Sequence, residues 1–257
     1  MKHRKTTQVN RGIFISICGF LATMVLYVVA ACFLQSVAVP SVIAGGYFSR
    51  AVPVKKTLCE QAPQNLLVLD AGHGGDDAGC VQGDVLEKDL NLSVTQRLST
   101  FLTLCGVPHC CTRERDMALC GEDVKGERRR TDLTNRLRLA QEQPQAIFLS
   151  IHMNRFADPR YHGLQVFYSP NADSSREFAQ TVQHACTTYL DGENNRRVKK
   201  AGSNIFLLYK LQGTAVLVEC GFLSNPQECT LLQTDTYQKQ LALLLGSAAL
   251  EYLRQVG

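Results

Sequence analysis

The sequence predicts an α/β fold: a single domain with a mostly parallel or mixed open sheet flanked by helices, plus an N-terminal transmembrane helix. Short apolar runs alternate with amphipathic stretches from residue 64 onward, which is the pattern of strands buried between helices. Residues 13–34 carry no charged side chain, and a helix of that length spans a hydrocarbon core of about 30 Å. With 257 residues, 45% of them hydrophobic, the chain can bury one substantial core.

The first 62 residues are predicted to lie outside this domain. Residues 1–11 form a basic cytoplasmic tail, residues 12–35 a transmembrane helix or uncleaved signal anchor, and residues 36–62 a linker containing Pro, Gly and small residues. Basic residues precede the apolar segment and none follows until Arg50, so the positive-inside bias predicts a membrane-anchored domain outside the cytoplasm. A cleaved signal peptide, or lipidation at Cys32, would export the domain equally well.

The first half of the domain at 63–257 reads as strand, helix, strand, helix. NLLVLD at 65–70 is an apolar run ended by glycines, which predicts a buried strand followed by a sharp turn. Apolar residues recur at helical spacing across 90–105 and 128–143, with a strand predicted between them at 107–112. The charged segment 113–126 lacks periodicity and is predicted to be a surface loop at the rim of a site.

The second half continues the alternation. Apolar runs predict four further strands. Amphipathic stretches predict one helix between the second and third of these strands and another helix after the fourth. The strands are expected at 146–151, 163–169, 204–209 and 214–219, and the helices at 175–190 and 236–256.

Charge and cysteine content exclude some functions. The net charge of +4 is modest and lies partly in the N-terminal tail, so it gives no support for nucleic-acid binding. Nine of the 11 cysteines follow the apolar segment, where disulfides can form, although the sequence does not give their pairing. No C-x-x-C pair occurs, which argues against a cysteine-ligated zinc module.

Ionisable residues follow three of the predicted strands. His73 stands among glycines after the first strand, His152 follows AIFLSI, and Glu219 closes TAVLVE. Glu87 opens the first predicted helix, which starts at the same edge. Because ligand sites of open α/β sheets lie at the carboxyl ends of strands, we expect these four side chains to converge.

Two imidazoles, one carboxylate and an open position make a catalytic zinc shell. We therefore predict one Zn²⁺ ion held by His73, Glu87 and His152, with Glu219 as the general base beside the metal-bound water. Each residue also has an ordinary interpretation: Glu87 as a first-turn acid favoured by the helix dipole, and His152 as a hydrogen-bonded core residue. Glu219 is harder to dismiss, because a carboxylate after AVLV is costly to bury without a partner.

A cluster of arginines opens the second long helix. Arg128, Arg129 and Arg130, together with Arg136 and Arg138, are most simply the solvated face of that helix. Contact between one of them and a substrate carboxylate is the alternative.

Seven stretches of the domain, in this order, resemble one protein family. They are LDAGHGGDDAG, LEKDLNLSV, CTRERD, LTNRLRLA, FLSIHMN, VLVECGFLSNPQE and the closing amphipathic helix. Their order and intervals over residues 64–255 resemble the zinc-dependent N-acetylmuramoyl-L-alanine amidases of the type 3 amidase family. The short N-terminal anchor and GEDVKGERRRTDLTNR most resemble the germination-specific CwlD-type amidases of spore formers.

The resemblance implies a zinc amidase catalytic domain at 63–257 that cuts the amide between N-acetylmuramic acid and the L-alanine of the stem peptide in peptidoglycan. It places the zinc ligands at His73, Glu87 and His152 and the catalytic glutamate at Glu219. It also implies action on spore cortex peptidoglycan in the intermembrane space of a developing spore, before a deacetylase helps to form muramic-δ-lactam. The implied partners are glycan strands with stem peptides, that deacetylase, the membrane and an accessory lipoprotein.

Three positions depart from the family pattern. Gly213-Thr214 stands where a proline is common, and Cys80 and Cys220 stand beside the site where non-thiol residues are expected. A mobile thiol there could compete for the metal. Two other functions therefore stay open: a cysteine-dependent cell-wall peptidase, and a peptidoglycan-binding regulator without catalysis.

Overall fold

A computed structural model of the chain describes residues 66–120, 126–143 and 145–256. Eight strands and six helices alternate in this part of the chain. The strands are β1 (Leu67–Ala71), β2 (Val81–Gln82), β3 (Val85–Leu86), β4 (His109–Cys111), β5 (Ile147–Asn154), β6 (Gln165–Tyr168), β7 (Lys199–Lys200) and β8 (Ala215–Phe222). The helices are α1 (Glu87–Leu104), α2 (Arg128–Gln141), α3 (Asp173–Tyr189), α4 (Phe206–Lys210), α5 (Pro226–Leu232) and α6 (Asp235–Val256).

Six strands form one mixed sheet in the order β4-β1-β5-β8-β6-β7, and β2 and β3 pair as a separate hairpin. Strands β4, β1, β5 and β8 run parallel, whereas β6 is antiparallel to β8 and β7 is parallel to β6. The predicted mixed α/β domain is thus confirmed. Because β1, β5 and β8 are parallel neighbours, the residues that follow or end them meet at one edge.

Alternation along the central strands divides the core between the two faces of the sheet. On one face, Leu67, Leu149 and Val218 pack into a large cluster with the apolar stripes of α1, α3 and α6. On the other face, Val68, Phe148 and Leu217 pack in a smaller cluster with residues of α2 and α4. Asp70, Ser150, His152 and Glu219 share this second face, so the candidate site lies there.

The strand predicted at 204–209 is wrong. This segment contains helix α4, in which Leu207 and Leu208 are buried and Tyr209 and Lys210 are exposed. With Leu211 also buried, the apolar side chains follow helical spacing rather than strand alternation. A six-residue apolar run does not distinguish the two conformations by itself.

The predicted cytoplasmic tail, transmembrane helix and linker lie outside the described residues. Over the ranges that the structure describes, no helix has both the length and the apolar character needed to cross a membrane. The eight cysteines in the same ranges are free thiols.

Candidate metal centre

Three of the four predicted site residues converge at the carboxyl edge of the sheet. His73, Glu87 and His152 each offer one ligand atom, and these atoms lie within 4.8 Å of one another. His73 Nε2 is 3.3 Å from Glu87 Oε1, His152 Nδ1 is 2.9 Å from the same oxygen, and the two imidazole rings meet edge to face. Two imidazoles and one carboxylate at this spacing can hold a metal ion.

The loop after β1 presents His73 to the other ligands. His73 has a φ of 62°, a left-handed conformation that few residues with side chains adopt. Gly72 permits the close approach of His152, because a Cβ at position 72 would lie 2.2 Å from His152 Cε1. A Cβ at Gly79 would lie 2.6 Å from Glu87 Oε2. Glycines at both positions thus leave the space that the ligand side chains occupy.

Glu87 is the first residue of α1 and is 2% exposed. Its Oε2 accepts a hydrogen bond from the Cys80 backbone N–H at 2.7 Å, and its Oε1 accepts one from the Met153 backbone N–H at 3.1 Å. Burial alone would raise the pKa of this carboxyl group, but hydrogen bonds with His152 and His73 hold the pKa well below its usual range. Glu87 is therefore a fixed anion rather than the ordinary exposed first-turn acid.

Asp77 orients His73 from the other side and was not among the sequence-predicted residues. His73 Nδ1 donates to Asp77 Oδ2 at 2.8 Å, which leaves Nε2 directed toward Glu87. This bond lowers the pKa of Asp77 to about 2. A carboxylate on the outer nitrogen of a metal-binding histidine is a common device that fixes the tautomer and the ring. The signal was available in HGGDDAG, where an acid follows the histidine at short range.

Glu219 lies next to the three ligand candidates and is not part of their cluster. It is the register partner of His152 on the neighbouring strand β8, and both residues line a cleft of about 260 Å³. Its Oε2 is buried and has no hydrogen-bond partner among the described residues. Burial raises the pKa of Glu219 to about 7, with the nearby His152 opposing this shift and Glu87 adding to it.

A buried ion pair lies under the site. Arg136 Nη1 donates to Asp70 Oδ1 at 2.6 Å and to the Ala71 carbonyl oxygen at 2.7 Å, and Nη2 donates to the His73 carbonyl oxygen. Arg136 is 1% exposed, so its assignment to a solvated helix face is wrong. Because Arg136 is three residues beyond Leu133 and four before Ala140, it shares their sheet-facing stripe.

Segment 113–126, predicted as a surface loop, is partly buried where the structure describes it. The Arg113 guanidinium donates to the carbonyl oxygens of Ala71, Gly72 and Lys88. Arg113 and Arg136 thus both hold the backbone around His73, and neither contact was predicted from the sequence.

The two thiols near the site do not have the character of nucleophiles. Cys220 follows Glu219 on β8, so its side chain lies on the opposite face of the sheet, in the large core cluster. The Cys220 side chain therefore does not flank the site as expected from the sequence. Burial raises the pKa of the Cys80 thiol to about 12 and that of Cys220 further still, whereas a nucleophilic cysteine needs a lowered pKa.

The fold and the site together define a mixed α/β domain with a candidate single-metal centre at the carboxyl edge of its sheet. The family of N-acetylmuramoyl-L-alanine amidases (Amidase_3) matches residues 67–249. The chain therefore belongs to this family and is an amidase of muramoyl-L-alanine bonds in peptidoglycan.

Individual relatives agree with this family. The chain is 35% identical over 194 residues to the germination-specific N-acetylmuramoyl-L-alanine amidase of Bacillus subtilis, covering 75% of this chain and 81% of the relative. The structure is similar to the CwlD amidase from Clostridioides difficile in complex with the GerS lipoprotein, with a TM-score of 0.71 and 35% identity. The match covers 74% of this chain and 99% of the CwlD chain. It is also similar to amidase AmiC2 of Nostoc punctiforme, with a TM-score of 0.64 and 28% identity. This match covers 76% of this chain and 99% of the AmiC2 chain.

Proposed function

We propose that this chain is a zinc-dependent amidase in which His73, Glu87 and His152 hold the ion and Glu219 transfers protons. The reaction is hydrolysis of the amide between the lactyl group of N-acetylmuramic acid and the L-alanine of the stem peptide. The observation that supports it best is a cluster of two imidazoles and one carboxylate. Beside it lies a buried carboxylate oxygen of Glu219 that has no hydrogen-bond partner in the part of the chain that the structure describes.

The residues present fit a catalytic zinc ion. Three ligands of this type leave a fourth position open, whereas structural zinc sites are closed by four protein ligands. A bound zinc ion would polarise the substrate carbonyl and lower the pKa of water to about 7. In the neutral tautomer with its proton on Nδ1, which the Asp77 carboxylate favours, His73 would have a lone pair on Nε2 for a ligand bond.

Glu219 is suited to carry a proton in both directions. Its buried Oε2 has no hydrogen-bond partner among the described residues, so it can accept a proton from the attacking water and donate it to the leaving amine. Water oxygen adds to the lactyl carbonyl carbon, the C–N bond breaks, and the proton moves through Glu219 to the L-alanine nitrogen. The products are a lactyl carboxylate and a free peptide amine.

We place this activity on spore cortex peptidoglycan. The support is that the Bacillus subtilis relative is a germination-specific amidase. Removal of the peptide would prepare muramic acid for δ-lactam formation together with a peptidoglycan deacetylase. The Clostridioides difficile neighbour is in complex with a lipoprotein, and we propose an accessory lipoprotein as a partner here. We also propose membrane anchoring through residues 12–35, with the catalytic domain in the intermembrane space of the developing spore.

One experiment tests the reaction. The full-length chain is incubated with purified muropeptides in three reactions. The first contains the zinc-loaded protein, the second the protein after metal removal, and the third the metal-depleted protein after zinc is returned. Mass spectrometry should show a new lactyl carboxylate and a new L-alanine amine only in the two zinc-containing reactions. Activity that survives metal removal, or cleavage at a different bond, would contradict the proposal. Activity abolished by thiol alkylation but not by metal removal would favour the cysteine peptidase.

A further inference from the structure

One stripe of α2 faces the catalytic cleft. Arg129, Asp132, Leu133 and Arg136 follow the spacing i, i+3, i+4 and i+7, which places them on one side of a helix. All four line the cleft that also contains Glu219. The arginine-rich helix is therefore not simply a solvated face, because one side of it forms a wall of the site.

Two of the charged residues on this stripe are already engaged. Arg136 pairs with Asp70 and donates through Nε to Asp132 Oδ2 at 2.6 Å. Asp132 Oδ1 accepts a hydrogen bond from the Leu119 backbone N–H at 2.6 Å. Both side chains thus maintain the wall, and neither has its charge free for a ligand.

Arg129 differs from them. Its side chain is 76% exposed, and its Nε lies 3.9 Å from Asp77 Oδ2, which is too long for a hydrogen bond. Asp77 is committed elsewhere, because Oδ2 accepts from His73 and Oδ1 from the Gly79 backbone N–H. Within the described ranges Arg129 has no closer ion-pair partner, so its guanidinium can bind an anion that enters the cleft.

Apolar side chains also line the cleft. Ile205 and Phe206, at the start of α4, are among them and are half-buried. A ligand that carries both an apolar group and a carboxylate would match this lining, with the carboxylate at the Arg129 guanidinium. The stem peptide has these properties, because the small methyl group of L-alanine is followed by residues that carry free carboxylates.

We propose that Arg129 is a specificity-determining residue that binds the α-carboxylate of the second stem residue, a γ-linked D-glutamate. This inference rests on the proposed function. This carboxylate lies roughly two residue lengths from the scissile nitrogen. Because each residue of extended chain spans about 3.5 Å, the distance between them is roughly 7 Å. A guanidinium can bind a carboxylate through two parallel hydrogen bonds, and an uncharged amide in its place loses the charge assistance.

The test compares two substrates and two variants. The zinc-loaded full-length chain is assayed on muramoyl-L-alanyl-D-glutamate and on the matching D-isoglutamine compound, in which the α-carboxylate is an amide. Arg129→Gln removes the cation. Arg130→Gln is the matched control, because Arg130 is 78% exposed on the same turn but pairs with Glu127 and does not line the cleft.

We expect the wild-type chain to have a kcat/KM about tenfold higher for the acid than for the amide, the size expected for a charge-assisted hydrogen bond. R129Q should bring this ratio close to one through a higher KM for the acid, with kcat nearly unchanged. R130Q should keep the wild-type ratio. Thermal unfolding of both variants should match that of the wild type, because both side chains are exposed.

Three results would overturn the assignment of Arg129. The wild-type chain could show no preference for the acid, R129Q could retain the full preference, or R130Q could lose it equally. In each of these cases cleavage of the muramoyl amide still supports the proposed function. If neither compound is cleaved by any zinc-loaded protein, the proposed function itself fails and the role of Arg129 falls with it.

Discussion

His152 and Glu219 are register partners on the adjacent parallel strands β5 and β8. Their side chains therefore lie on the same face of the sheet and at the same edge, although 67 positions separate them in the chain. His152 contributes a candidate metal ligand, and Glu219 contributes a buried carboxylate oxygen that no described residue hydrogen-bonds. The pairing of two strands thus brings the candidate metal site and the proposed proton carrier together.

Replacing Glu219 by Gln should separate catalysis from metal binding. The amide keeps the size of the side chain but cannot accept the proton of water, so turnover of muropeptides should fall by at least about a hundredfold. Zinc content, measured on the purified protein, should remain at one ion per chain, since Glu219 is outside the ligand cluster. Loss of zinc in E219Q would assign Glu219 as a ligand. Unchanged turnover in E219Q would show that a different group carries the proton.

Replacing Asp77 by Asn should weaken metal binding without removing a ligand. The amide oxygen is an uncharged acceptor and holds the His73 ring less firmly than the carboxylate does. Loss of such an outer partner typically costs about 10–100-fold in metal affinity. Competition with a metallochromic chelator measures this affinity. Asp76→Asn is the matched control, because Asp76 is 82% exposed and contacts Arg128 instead. Equal zinc affinity in D76N and D77N would show that the Asp77 bond is unimportant.

Most of the fold could be predicted, and so could the convergence of His73, Glu87 and His152 at one edge of the sheet, because both depend on local patterns. Apolar periodicity located the central strands and the long helices, and polar residues after apolar runs marked the carboxyl edge. Helix α4 was missed because its apolar run, with Leu207 and Leu208 at its centre, is too short to show a period. Sequence patterns at that length fit either conformation, and packing on the sheet decides between them.

The supporting residues were missed for a different reason. Arg113 and Arg136 act through partners that are distant in the sequence or are backbone carbonyl groups, whereas Asp77 acts on the nearby His73. In a segment with several arginines, the sequence does not show which arginine is buried. The buried one is the arginine that the packing of α2 on the sheet brings next to Asp70. Such contacts are set by tertiary packing and are not encoded in spacing alone.

Replacing Gly72 by Ala should disturb the site through His152. The added Cβ would lie 2.2 Å from His152 Cε1, so the ring has to move. A displacement of about 1 Å in a catalytic site can cost about a hundredfold in rate, and we expect a loss of that order together with weaker zinc binding. Gly192→Ala is the control, since the nearest atom to its Cβ is 3.8 Å away. Full activity in G72A would show that the site tolerates this movement.

Replacing Asp70 by Asn should destabilise the fold in a pH-dependent manner. Asp70 is fully buried beside Arg136, and removal of one charge of such a pair costs about 3–5 kcal/mol. We expect a loss of this order in the free energy of unfolding at pH 7, measured by urea denaturation. Asp158→Asn, which alters an exposed pair with Arg160, should leave stability essentially unchanged.

The pH dependence of this difference identifies the ion pair as its cause. Burial alone would raise the pKa of Asp70, but the Arg136 guanidinium and hydrogen bonds from Ser150 and Thr112 hold it below its ordinary value. The folded-state pKa is therefore lower than the unfolded-state pKa of about 3.9. The stabilisation by Asp70 is fully present above that value and is lost as the pH falls through the folded-state pKa. The difference in free energy of unfolding between wild type and D70N should be constant from pH 7 to about pH 5 and should become smaller below about pH 4. A difference that stays constant under acid conditions would mean that packing, not charge, stabilises this position.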